Sequence, residues 1–140
     1  MSVEIIPPDR RVYVPKPWGW EDWILNDETA NFCQKVLFIK GGHGGSIHMH
    51  PIKDEVMTCE SGCLIVEYLD RNLSEMVQSG LSTHLAVQTA QIHPGMAIRF
   101  RPGQWHRLFA RFDTYIYEAS TFHRDDDVRR VEGWGEISKG

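Results

Sequence analysis

The sequence predicts an all-β chain whose strands pair antiparallel and roll into a sandwich or barrel. Three observations carry this expectation. Short runs rich in Val, Ile, Thr and aromatic residues recur along the chain, Gly and Pro punctuate them, and helical periodicity is almost absent. The 140 residues are 41% hydrophobic and 24% charged, which suits one globular domain over 1–140 with one core. Within it the expected division is an N-terminal arm with edge strands over 1–31, a barrel core over 32–122 and a C-terminal tail over 123–140.

In chain order, Pro7, Pro8, Pro15 and Pro17 disfavour helix and suit an extended arm or edge strand, expected to pack on a partner subunit. Trp18 to Leu25 is heavily aromatic and reads as a strand with one buried face. Phe32 to Lys40 is a second strand, with Cys33, Leu37 and Ile39 alternating toward the core. The glycines at 41, 42, 44 and 45 mark a turn, after which Ile47 to His50 resumes the sheet. Val56 to Cys59 and Cys63 to Leu69 flank Glu60-Ser61-Gly62 and predict a hairpin, which sets Cys59 and Cys63 facing each other. Asp70 to Gly80 is polar and reads as a helical turn or a loop, and Leu81 to Ile92 as one or two strands. Met96 to Phe100, Trp105 to Phe109 and Thr114 to Ser120 complete the set.

Composition excludes several classes. The formal net charge is −4 and no basic block occurs, so a nucleic-acid surface has no electrostatic support. No apolar run approaches the ~20 residues that a membrane span needs. The N-terminus, MSVEIIPPDRR, carries charges where a secretory signal is apolar, so a cytoplasmic protein is expected. Cys33, Cys59 and Cys63 lack CxxC spacing and fit reduced thiols. The Asp125 to Asp127 run lacks the spacing of a calcium loop and reads as solvated surface.

The chemistry lies in Gly42 to Gly62 and near His106. His48 and His50 are one residue apart, so on a strand both imidazoles leave from the same face. Glu55 follows across a proline, and His106 comes just after the Pro102-Gly103 turn. Imidazoles plus one carboxylate form a ligand set for a single divalent transition metal ion with open positions, and these donors accept Mn, Fe, Co, Ni or Zn alike.

At these positions the chain resembles the cupin superfamily. Gly42, His48, His50, Glu55 and Gly62 match every position of that family's first motif. Gly95, Gly103 and His106 match the second, in which Arg101 replaces the family's Pro and Ala110 its Asn. The resemblance implies a double-stranded β-helix, or jelly-roll barrel, with the metal inside. Lys16-Pro17-Trp18-Gly19, Gly103 to Leu108 and Glu118 to Glu132 further resemble the cupin-type mannose-6-phosphate isomerase domain. That implies a small-molecule substrate, a sugar or sugar phosphate, aldose to ketose isomerisation and, together with the proline-rich arm, a homodimer.

Such a reaction needs a base to move the proton between carbonyl and hydroxyl, and Glu118, Lys53, His43 and Tyr117 are the candidates. A phosphate needs cations, for which Arg99, Arg101 and Arg107 stand near the second motif, while Trp105 is a surface on which a sugar ring can stack. Arg107 follows His106 directly and is expected to point away from the metal, paired with an acid. A non-haem metal dioxygenase and a non-catalytic sugar-binding cupin use the same ligand set and remain alternatives.

Overall fold

The computed structural model describes residues 2–139. Two antiparallel sheets of six strands each pack face to face. The first contains β1 (Val12–Lys16), β2 (Gly19–Asp27), β3 (Phe32–Ile39), β6 (Glu55–Ser61), β9 (Ala97–Phe100) and β11 (Thr114–Ser120), in the order β1-β2-β3-β11-β6-β9. The second contains β5 (Ile47–Met49), β7 (Leu64–Leu69), β8 (Val87–Ile92), β10 (His106–Ala110) and β12 (Arg129–Val131), in the order β12-β5-β10-β7-β8, with β4 (His43–Gly44) pairing β10.

Period-two alternation decides which side chains enter the space between the sheets. On β3 the buried positions are Cys33, Lys35, Leu37 and Ile39; on β6, Glu55, Met57 and Cys59; on β10, His106, Leu108 and Ala110; on β11, Thr114, Ile116 and Glu118. Toward one end these positions are apolar and form the main core with Leu64, Val66, Ile92 and Phe100. Toward the other they are His, Glu and Lys, so one end of the sandwich is a core and the other a polar site. A smaller core of Ile47, Leu69, Met76, Ala86, Trp105 and Ile137 lies outside the second sheet's site end, under α1 (Leu73–Ser79) and the C-terminal 3-10 turn.

The expected hairpin around Gly62 does not form. β6 pairs β9 and β11 in the first sheet, whereas β7 pairs β8 and β10 in the second. Gly62, at φ +83°, carries the chain round a corner between sheets, and Thr114 Oγ1 pins that corner by accepting from the Cys63 amide at 3.1 Å. Cys59 and Cys63 are therefore not cross-strand neighbours. The polar 70–80 segment resolves in favour of a helix, N-capped by Asn72 Oδ1, which accepts from Ser74 N at 2.8 Å, and closed by Gly80 in the left-handed region. Residues 83–86 form a 3-10 turn, leaving a single strand, β8, in the 81–92 stretch.

The C-terminal segment is more than a tail, since β12 adds a strand beside β5 and holds it from the outside. Asp127, 5% exposed, is not a solvated charge. Its carboxylate accepts from the backbone amides of Ile52 at 2.9 Å and Lys53 at 3.0 Å, fixing the loop between His50 and Glu55.

Candidate metal centre

Each imidazole of the site is placed by strand pairing. His48 on β5 lies directly opposite His106 on β10, and their ring centroids are 4.4 Å apart. His50 lies two residues beyond His48 on the same face, its ring centroid 5.1 Å from that of His48 and 6.3 Å from that of His106. Glu55 begins β6 in the opposite sheet and aims across the gap. Its Oε1 is 3.4 Å from His106 Nε2 and 3.8 Å from His50 Nε2. Phe100 stacks on His106 at 3.8 Å between centroids and fixes the ring plane.

The other ring nitrogens are all engaged. His48 Nδ1 donates to the Ser46 carbonyl at 2.9 Å, His50 Nδ1 to the Asp127 carbonyl at 2.6 Å, and His106 Nδ1 to the Gln104 carbonyl at 2.8 Å. A carbonyl only accepts, so each Nδ1 carries a proton and Nε2 is the ring nitrogen left for the interior. Burial, aided by His106 and His50, lowers the His48 pKa to about 3, and burial also lowers that of His50. Glu55 Oε1 and His106 Nε2 are buried with no hydrogen-bond partner. Two acceptors facing each other in a dry interior repel, and a cation between them removes that cost.

Among the described residues, no group of three or more His, Cys, Asp or Glu stands in the arrangement that holds a metal ion. The separations of 3.4 and 3.8 Å nevertheless fall within the span of two ligands each ~2.0–2.2 Å from one ion, so His50, Glu55 and His106 could hold a divalent metal, with the His48 ring beside them at 4.4 Å between centroids from His106.

A cavity of about 110 Å³ adjoins these residues between the sheets. Lys53 and Glu118 meet in it, with Nζ 3.1 Å from Oε2 and both side chains under 5% exposed. Lys53 Nζ is also 3.7 Å from Glu55 Oε2, so one carboxylate faces the imidazoles with one oxygen and the ammonium with the other. Burial acts to lower the Lys53 pKa, but Glu118 and Glu55 outweigh it and the net shift is upward. For Glu118 burial acts upward, and Lys53 and Lys35 overcome it to bring the carboxyl to about 2.

Of the other residues singled out in the sequence, several lie elsewhere. His43 is exposed on β4 and bonds the Gly41 carbonyl at 3.1 Å; Tyr117, 45% exposed, alternates to the outer face of β11 and bonds Glu60. Neither can act as a base in the cavity. Arg99 is on the outer face of β9, gripping Asp54 at 3.0 and 2.6 Å. Arg107 points outward to Glu67 at 3.2 Å, as its position next to His106 predicts. Arg101, on the 101–103 turn, and Trp105, 8% exposed and otherwise packed in the smaller core, line a separate surface cleft and not the cavity beside the imidazoles.

The cavity also holds residues that the sequence reading passed over: Lys35, His123, Glu21 and Arg130. Lys35 had a readable signal, because it shares the parity of Cys33, Leu37 and Ile39 on β3. His123 and Arg130 had none, since only the return of the C-terminal segment brings them in.

Two sheets enclosing a histidine and carboxylate site at one end define a protein of the cupin fold. Among solved structures, the chain is similar in fold to KdgF from Halomonas sp., at 15% identity and a TM-score of 0.66, covering 88% of this chain and 98% of that one. It is similar also to an oxalate oxidase in complex with the substrate analogue glycolate, at 17% identity and a TM-score of 0.57 over 74% of this chain. A third similar structure is the capsular polysaccharide assembling protein CapF from Staphylococcus aureus, at 13% identity and a TM-score of 0.67 over 88% of this chain. The chain spans 47% of the oxalate oxidase and 34% of CapF. At such identities the likeness establishes architecture. No protein-family model and no curated protein sequence matches the chain. Among the described residues no helix is long and apolar enough to cross a membrane.

Proposed function

We propose that the chain is a metal-dependent cupin acting on a sugar or sugar phosphate, with aldose to ketose isomerisation as its reaction. One observation supports this above the rest: Glu55 Oε1 and His106 Nε2 are buried and partnerless, facing each other beside a cavity that holds an acid and base pair. His48, His50, His106 and Glu55 are the residues that would hold the ion. When bound, a divalent cation there polarises a carbonyl and its neighbouring hydroxyl.

The chain's own groups supply the rest. Glu118 takes the proton from the hydroxyl-bearing carbon next to the carbonyl and returns it to the former carbonyl carbon. Lys53, kept protonated, donates to the carbonyl oxygen on which negative charge develops and recovers a proton from the neighbouring hydroxyl as that becomes the new carbonyl, ending as it began. The outward-facing arginines leave cationic recognition to Lys16, Lys35, Lys53 and Arg130. A link to sugars is supported by the likeness to CapF, whose name connects it with capsular polysaccharide.

The test is incubation of the metal-loaded protein with hexose phosphates and with pentoses in deuterium oxide. Deuterium at the carbon next to the carbonyl is the expected result, and its absence with every substrate refutes an isomerase. A second reading, a non-haem metal oxidase or dioxygenase, is favoured by the cavity's small volume of about 110 Å³ and by the likeness to a glycolate-bound oxalate oxidase. Oxygen uptake by the iron-loaded protein supports that reading, whereas saturable sugar binding with neither signal supports a sugar-binding protein. The same proposal takes the chain as a homodimer, which its mass by light scattering checks.

A further inference from the structure

The polar end of the cavity carries more positive charge than its own carboxylates neutralise. Its charged lining consists of Lys16, Lys35, Lys53 and Arg130 against Glu21, Glu55 and Glu118, four cations to three carboxylates before any metal is added. The two deepest cations are Lys35, 1% exposed, and Lys53, 3% exposed. Burying an ammonium is costly unless its donors are met, and each ammonium has three.

These donors are not all met. Lys53 Nζ reaches Glu118 at 3.1 Å, with Glu55 farther at 3.7 Å. Lys35 Nζ has Glu21 only at 3.4 Å and otherwise lies over the Trp23 ring at 4.2 Å. Both ammonium groups converge on one atom, His123 Nδ1, at 3.1 Å from Lys35 and 3.2 Å from Lys53. An imidazole nitrogen has one lone pair and satisfies one of the two donors. His123 Nε2 is 3.0 Å from Asp125 Oδ1, and donating its proton there leaves Nδ1 as the acceptor. Glu21 is itself shared, since it also accepts from Trp23 Nε1 at 2.8 Å. Two like charges thus share one protein acceptor at the edge of the cavity.

We propose that Lys35 and Lys53 form an anion-binding subsite that takes the carboxylate of a small organic acid, a 2-hydroxy or 2-oxo acid or an acidic sugar. This rests on reading the cavity as the substrate site, and it narrows the substrate class from any sugar to an acidic one. Two carboxylate oxygens supply the acceptors that the ammonium pair lacks. Glu55 sets the distance to the rest of the site, because one of its oxygens faces Lys53 and the other faces His50 and His106. A hydroxyl or carbonyl next to the anchored carboxylate therefore lies toward the imidazoles. The two ammonium groups match the two oxygens of a carboxylate, whereas a phosphate has more oxygens than the pair can serve.

Calorimetric titration of the full chain, as zinc-loaded and as EDTA-treated protein, tests this with glycolate, neutral ethylene glycol and inorganic phosphate as probes. Glycolate is expected to bind at least tenfold more tightly than ethylene glycol in both forms. Lys35→Met is expected to lose at least tenfold in glycolate affinity while its zinc content, by elemental analysis, stays that of the wild type; Lys35→Arg is expected to keep most of the affinity. If Lys35→Met fails to fold, the comparison of probes on wild-type protein decides. Glycolate no tighter than ethylene glycol, or weaker than phosphate, overturns the subsite even where zinc is bound and isomerase activity is found. Glycolate binding in a protein that takes up no metal keeps the subsite and refutes the metal-dependent reading instead.

Discussion

Replacing Lys53 by Met removes a buried cation and keeps most of the side chain's volume. In the wild type the ammonium is 3.1 Å from Glu118 Oε2, and the two residues are 3% and 4% exposed. Removing one partner of such a pair leaves an uncompensated charge in the interior, which typically costs ~3–5 kcal/mol. Lys35 also acts on Glu118, so the loss falls at the lower end, about 3 kcal/mol. For a chain of this size that lowers the melting temperature by roughly 10 °C. Glu118→Gln is expected to cost a similar amount, because the nearest carboxylate left to Lys53 is then Glu55 at 3.7 Å.

The informative variant is the double mutant. With both charges gone neither is stranded, and the combined loss is expected to fall short of the sum of the singles by ~1.5–3 kcal/mol. Urea denaturation of EDTA-treated proteins at neutral pH measures all four corners of the cycle without interference from metal. A Lys53→Met cost below about 1 kcal/mol, or additive singles, refutes the claim that this pair is a dry, mutually dependent unit.

Three further predictions concern the same region. Acid destabilises the fold: the His123 pKa falls from 6.5 to about 4 through burial, Lys35 and Lys53, so the unfolded chain binds that proton first and stability drops across this window. The Glu118 carboxyl, brought from 4.5 to about 2, adds a further loss across that lower window; a urea midpoint constant between pH 7 and 4 contradicts the His123 assignment, and one constant between pH 4.5 and 2 contradicts that of Glu118. His106→Ala and Glu55→Gln are each expected to lower bound divalent metal at least tenfold, and unchanged occupancy by elemental analysis removes these residues from the ligand set. Gly62→Ala places a Cβ against Thr114 Oγ1 and the Asp113 carbonyl at φ +83°, so a loss of about 2–4 kcal/mol in denaturation is expected; a loss under 1 kcal/mol means that the corner relaxes easily.

The elements of the candidate site differed in how far local chemistry disclosed them. His48 and His50 are legible because a strand's period of two puts them on one face, and Glu55 and His106 because turn residues set them at fixed offsets. Lys53 and Glu118 could be named as acid and base candidates, but not as a pair, since 65 positions separate them in sequence. Arg99, Arg107 and Tyr117 cluster with the motifs along the chain and still face outward, because adjacent strand positions alternate faces. Proximity in sequence was the wrong guide to them.

The hairpin expected at Gly62 shows the same limit in the backbone. A glycine between two strand-like runs signals a reversal, but whether the second strand pairs with the first or crosses to the opposite sheet depends on where β9, β10 and β11 lie. By itself the amino-acid sequence determined the all-β class, the inward faces of the strands and the four side chains of the candidate metal centre, because alternation, turn chemistry and motif spacing are local properties. Only the tertiary structure decided that Lys35, Lys53, Glu118 and His123 share one cavity and that Asp127 clasps the ligand loop. The His123 and Asp127 contacts form when the C-terminal segment returns, the others when the loop before β6 meets the paired strands β3 and β11, and pairing between distant strands leaves no mark on local sequence.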